Sequence, residues 1–217
     1  MREILPGVFH WTGEHPRIHV QVSSYWVADG GVLIDPLAPP DAGLDWFEAG
    51  AAGGGPPQAI VLSNRHHYRQ SDRFVKRYGC PVHVPRSGLH EFGPDRQPVE
   101  PYDSGDTLPG GLVVHEIGSL CPDDMALHLA SAEAVFFADG VVLGGPHGSE
   151  NSLGFVPDSL MDDPPGTKRG LLASLQRLLD EVSFRHVLCA HGGPVLEDGR
   201  QELEDLVRAG GRSAFEL

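Results

Sequence analysis

"IVLSNRHHYRQSDRF" (residues 60–74) begins as a continuous apolar run and breaks at Asn64, Arg65, His66, His67, Tyr68 and Arg69. The run "QAIVLS" lacks polar alternation, which predicts a strand buried on both faces. "SDRFVKRYG" then predicts a helix, with Ser71 or Asp72 as N-cap and Gly79 past its end. A strand, a polar loop and a helix in that order put the loop side chains at a rigid sheet edge, where sites are commonly assembled.

Two later segments end the same way. "AVFFADG" closes its apolar run at Asp139, and "FRHVLCAHGG" closes at His191. Around them, "VQVSSYWVADGGVLIDPLAPP" predicts two strands joined by an Asp-Gly-Gly turn. "CPVHVP", "GLVVHEIG" and "MALHLAS" add further strands. "LDWFEAG" predicts a short helix, and "NSLGFVPDSLMDDPPG" a polar loop. Leu171, Leu172, Leu175, Leu178 and Leu179 recur at helical spacing in "TKRGLLASLQRLLDEV", and "GRQELEDLVRAG" predicts a final helix. Strand-rich halves interleaved with helices predict two packed sheets with helices outside, in one domain or two tightly fused halves.

The chain has 217 residues, 40% hydrophobic, with a formal net charge of -14. So acidic a surface excludes nucleic acid as a main partner, because phosphate binding needs a basic face. No run approaches a membrane span, and "MREILPGVFHW" has no apolar core of a signal peptide. The cysteines Cys80, Cys121 and Cys189 are sparse and odd in number, with no paired spacing for a structural zinc. A reducing cytoplasm is the expected compartment, and a small molecule the expected partner. A homodimer stays open.

The order of these segments resembles the metallo-β-lactamase-fold hydrolases over nearly the whole chain. "EILPGVFHW" is similar to that family's opening strand. "GVLIDPLAPP" is similar to its "hLIDxG" segment, which puts Asp35 in a position behind the metal ligands. "IVLSNRHHYRQS" stands where the family carries Thr-His-x-His-x-Asp-His-x-Gly. "AVFFADGVVL" is similar to the strand with the metal-bridging aspartate, here Asp139. "HVLCAHGGPV" is similar to the late Gly-His-Gly segment, which gives His191. The resemblance implies a single domain spanning 1–217, an αββα four-layer sandwich with its site along one edge of the sheets. It also implies two zinc or iron ions that activate water against esters, thioesters, lactams or phosphodiesters.

The departures are specific. Without gaps, the first motif histidine falls on Asn64, the second on His66, the aspartate on Tyr68 and the last histidine on Arg69. The mid-chain histidine falls on Ser119 or Leu120. The surviving ligand set is therefore His66, Asp139 and His191. A catalytic zinc wants about three protein donors, and two divalent ions beside Arg65 and Arg69 would face a large electrostatic cost.

The expectation is an eroded centre that holds either no metal or a single zinc, iron or manganese ion. Arg69 is expected to pair with Asp139 as a fixed cation. Asn64, Arg65, Tyr68 and Arg69 are expected to offer donors to a small anionic ligand. The alternative is an atypical hydrolase, single-metal or metal-free, of a small ester, thioester or related substrate, with His66 and Asp139 catalytic: either metal-bound water is the nucleophile, or His66 is a general base oriented by Asp139. Adjacent side chains of an extended stretch point opposite ways, which sets His67 apart from His66. The roles of His67, Cys121, His128 and His147 stay open, with His115 a further candidate helper.

Overall fold

The computed structural model describes residues 1–41, 43–50, 55–96, 98–144 and 152–213; His147 lies outside them. One sheet uses the first half of the chain in order: β1 (Arg2–Leu5), β2 (Val8–Glu14), β3 (Gln21–Val27), β4 (Val32–Ile34), β5 (Ala59–Val61), β6 (Val82–Pro85) and β7 (Glu100–Tyr102). Its first four strands are antiparallel, and the pairs from β4 to β7 are parallel. The second sheet contains β8 (Thr107–Leu108), β9 (Leu112–Glu116), β10 (Met125–Leu129), β11 (Ala134–Phe137), β14 (His186–Cys189) and β15 (Pro194–Val195). They lie in the order β15-β14-β11-β10-β9-β8, and β11 and β14 run parallel. A short ladder pairs β12 (Val142–Leu143) with β13 (Leu153–Gly154). That ladder is a correction to the expected polar loop, where Phe155 and Val156 are also buried.

Three apolar clusters make the layers. Tyr25, Ile34, Val61, Leu127, Phe136 and Leu188 meet between the sheets. Trp26, Leu33, Phe47, Ile60 and Phe74 lie on the outer side of the first sheet, with α1 (Asp45–Glu48) and α2 (Ser71–Tyr78). Phe137, Val187, Leu171, Leu175 and Leu203 lie on the outer side of the second, under α3 (Pro164–Glu181) and α4 (Gly199–Ser213). This is the helix–sheet–sheet–helix sandwich. Among the described residues no helix is long and apolar enough to cross a membrane.

Two helix starts differ from expectation. Gln70, not Ser71 or Asp72, stands at the N-cap position of α2 and makes no side-chain cap bond there, and the helix ends as expected on Gly79, whose φ of 69° suits a residue without Cβ. α3 begins earlier, at Pro164, because Asp163 accepts a hydrogen bond from the Gly166 N–H and proline is tolerated in the first turn.

The sheets are also tied by polar bonds. The Tyr25 hydroxyl donates to the Cys189 carbonyl at 2.7 Å, and the Ser23 N–H donates to the Ala190 carbonyl at 2.8 Å. Tyr25→Phe keeps the ring and leaves a buried carbonyl short of a donor, so urea denaturation is expected to show a loss of about 1–3 kcal/mol. An unchanged midpoint would mean that the tie carries no stability.

Candidate metal centre

Four strands deliver the site from their C-terminal ends: Asp35 follows β4, residues 63–69 follow β5, Asp139 follows β11 and His191 follows β14. Parallel neighbours end on the same side, which gathers these side chains on one edge. At Gly192 a Cβ would lie 2.2 Å from the Leu143 carbonyl oxygen, and φ is 92°. Glycine alone lets the chain turn there, directly behind His191.

The motif loop does not run extended. Residues Arg65–Tyr68 form a 3₁₀ turn, and the Asn64 side chain caps it by accepting from the His66 N–H at 2.9 Å. In a 3₁₀ turn, residues three apart are eclipsed. Asn64 and His67 therefore face the same way, and both reach Asp139. The Asn64 amide donates to Oδ2 at 2.7 Å, while His67 Nε2 lies 3.2 Å from Oδ1. His191 Nε2 is 3.0 Å from the same Oδ1.

The structure groups His67, where the sequence reading expected His66, with Asp139 and His191. His67, Asp139 and His191 bring donor atoms within 4.8 Å of one another, the one such group among the described residues. His66 is exposed on the other side of the turn, and its pKa is lowered by burial and by Arg65. The sequence did hold the missed signal: asparagine before four residues free of proline and glycine is a helix-cap pattern, which breaks the alternation assumed for His66 and His67.

His67 is fixed from behind. Its Nδ1 lies 2.8 Å from Asp35 Oδ2, and the Ser63 hydroxyl is 3.0 Å from the same nitrogen. Asp35 also accepts from the Ser63 N–H at 2.8 Å and from the Ser63 hydroxyl. A ring proton is thereby held at Nδ1 toward Asp35. Nε2 then faces Asp139, and a bare lone pair against that carboxylate would be repulsive. A proton or a metal ion must stand there. Such carboxylate–histidine backing is the usual support of a metal ligand.

Burial disfavours charge on Asp139, yet the His67 and His191 imidazoles outweigh it and hold the carboxyl well below its usual range. Burial likewise disfavours the His67 cation, and Asp35 and Asp139 overcome it, raising the pKa to about 9. Asp124 is the opposite case. It is buried beside the charged Asp139, its Oδ2 has no partner, and its pKa is pushed far up.

The four residues expected to greet an anion have internal partners. Asn64 holds Asp139. Arg65 pairs with buried Asp123 through both its side chain and its N–H. Tyr68 is buried against Phe92 with Arg96 over its ring. Arg69 does not pair with Asp139 as expected. Its φ of 46° and ψ of -108° turn it inward, where Nη1 donates to the carbonyls of Ser23 at 2.5 Å and Asp35 at 2.7 Å, and Nη2 reaches that of Ala190 at 3.5 Å. Three carbonyls converge there, and the guanidinium fork suits them better than one carboxylate oxygen already held by two imidazoles. Of the open helpers, Cys121 has its thiol pKa raised by burial and by Asp124. His115 and His128 are neighbours on β9 and β10, away from the centre.

A family model described as the metallo-beta-lactamase superfamily matches residues 4–209. The chain belongs to the metallo-beta-lactamase superfamily. Its fold matches a family protein of Thermus thermophilus, TTHA1429, at a TM-score of 0.64 and 18% identity, covering 97% of this chain and 81% of that one. It matches the Pseudomonas aeruginosa metallo-beta-lactamase FIM-1 in its mono-zinc form at 0.67 and 16%, covering 98% and 95%. TTHA1623 in a di-iron-bound form matches at 0.62 and 24%, covering 87% and 94%. No curated protein sequence matches the chain.

The raised pKa of His67 sets a pH dependence for metal-free protein. Its folded value of about 9 exceeds the ordinary value of 6.5. The stabilisation is therefore fully present below pH 6.5 and is lost as pH rises through 9. Denaturation of chelator-treated protein between about pH 6 and 10 is expected to show a decline on the order of 3 kcal/mol, flattened in His67→Gln. A flat profile in the wild type would contradict the His67 cation.

Proposed function

We propose that the centre takes one divalent ion on His67, Asp139 and His191, and that the protein is a hydrolase of a small ester or thioester. The observation that carries this is the shared carboxylate oxygen with an imidazole nitrogen 3.0 and 3.2 Å to either side. Bonds of about 2.0–2.2 Å in a tetrahedral zinc site separate the donors by roughly 3.3 Å; the two spacings to Asp139 are near that value, and all three donors lie within 4.8 Å of one another. Two histidines and a carboxylate supply the three protein donors of a catalytic site and leave a position open.

A second ion does not fit. The Asn64 amide occupies Oδ2 of Asp139, and Tyr68 and Arg69 stand where further ligands would be needed. Similar folds have been solved in mono-zinc and in di-iron-bound form, and this donor set favours the former number.

When bound, such an ion supplies Lewis acidity toward a carbonyl and activates water. The chain's own residues do the positioning. Asp35 fixes the His67 tautomer, Asn64 orients Asp139, and the Gly192 turn places His191. The side chains of Asp139 and His191 are 21% and 26% exposed, against 5% for His67. A substrate therefore approaches from the Asp139–His191 side.

A second reading has its own support. His67 between Asp35 and Asp139 satisfies both carboxylates as an imidazolium, which needs no metal. In this reading the protein is the eroded form of the fold, lacking hydrolase activity. The donors once expected for an anion have internal partners, so anion binding no longer accompanies it.

Metal content separates the two. Plasma mass spectrometry on untagged protein is expected to give about one zinc, iron or manganese per chain, the complement of a single three-donor site. His67→Ala and His191→Ala lose it, and His66→Ala keeps it. Metal far below one per chain in the folded wild type refutes the one-metal reading. Loss in His66→Ala alone would return the ligand role to that residue. Zinc affinity is also expected to rise with pH, because the ion displaces the His67 proton.

A further inference from the structure

Arg69 touches three strand segments belonging to both sheets. Ser23 lies within β3, Asp35 follows β4, and Ala190 follows β14. Two of these carbonyls adjoin the centre directly: Asp35 carries the carboxylate that orients His67, and Ala190 immediately precedes His191. The Ala190 carbonyl already accepts the Ser23 N–H, so the guanidinium reinforces an existing bridge between sheets. Its Nε is buried with no partner. A left-handed backbone at a non-glycine residue costs about 1–3 kcal/mol and persists only where the surroundings enforce it. The fork spans three acceptors at fixed angles, which a flexible ammonium cannot do.

We propose that Arg69 is a positioning residue for the centre: its guanidinium holds the Asp35 and His191 strand ends at the separation at which His67, Asp139 and His191 share one ligand. This rests on the one-metal reading above and adds what sets the donor spacing. The residue touches no donor atom of the set. It acts through the backbone of Asp35 and of the residue before His191.

The test compares wild type, Arg69→Met, Arg69→Lys and Arg200→Met. Arg200 is a second guanidinium on carbonyls, those of Val182 and Leu179 at 2.8 and 2.7 Å, at the end of α3 away from the centre. Zinc affinity is measured by competition with a chromophoric chelator. Arg69→Met is expected to weaken zinc binding about tenfold to a hundredfold, the usual cost of losing a residue that orients ligands. Arg69→Lys falls between it and wild type, and Arg200→Met keeps wild-type affinity. A metal-free readout accompanies this: the low-field proton of the His67–Asp35 bond in chelated protein. It is expected to shift or vanish in Arg69→Met and to persist in Arg200→Met.

Wild-type zinc affinity and an unmoved proton in folded Arg69→Met would overturn the proposal, as would equal losses in Arg200→Met. If Arg69→Met does not fold, Arg69→Lys decides by the same two readings, and wild-type behaviour there overturns it. If wild type itself takes no zinc, the one-metal reading fails, and the proton alone decides whether Arg69 positions His67.

Discussion

Everything at the site is arranged around one carboxylate. Asp139 closes β11 at the part-buried end of the seam between the sheets, where an uncompensated charge would be unfavourable. Asn64 meets one of its oxygens, and His67 and His191 meet the other. Each partner is held in turn: Asn64 by its cap to the His66 N–H, His67 by Asp35 and Ser63, His191 by its glycine turn. The first sheet supplies Asn64, His67 and Asp35, and the second supplies Asp139 and His191. The carboxylate is thus where two separately built halves agree on a geometry.

Charge balance supports the proposed single ion over a pair. Asp35 and Asp139 are two negative charges, and Arg69 stands within their field. A proton on His67 brings the group to balance. One divalent ion with neutral imidazoles leaves a single positive excess, and another ion would leave three. Buried charge imbalance grows steeply in cost. Arg65 is neutralised separately by Asp123, so it adds nothing to this sum.

The sandwich was legible in the sequence because its signals are local. Continuous apolar runs marked β5, β11 and β14, and leucines at helical spacing marked α3. The strand ends carrying Asp139 and His191 were legible for the same reason. The choice between His66 and His67 was not, because it depends on whether the loop is extended or coiled. Asn64 decided that by capping a turn, and matching the loop to a spaced motif concealed it. The direction of Arg69 was also beyond a sequence reading. Its three acceptors are main-chain oxygens from residues 23, 35 and 190, and backbone carbonyls leave no trace in residue identity. Tyr68 shows a third limit: a phenol beside two histidines reads as a donor, but it is packed into the core.

The two sheets are almost separate in the chain: the first is complete by Tyr102, and the second begins at Thr107. Within the first, every strand pairs with its sequence neighbour. Within the second, β11 pairs with β14 across the whole of α3, and contacts between the halves are more distant still, joining Tyr25 to Cys189. Contacts of large sequence separation carry the highest closure entropy and tend to limit folding rate. The seam is thus the kinetically demanding part of this fold. Asp139 and His67 come together only when it closes, so the finished centre is also a marker that folding is complete.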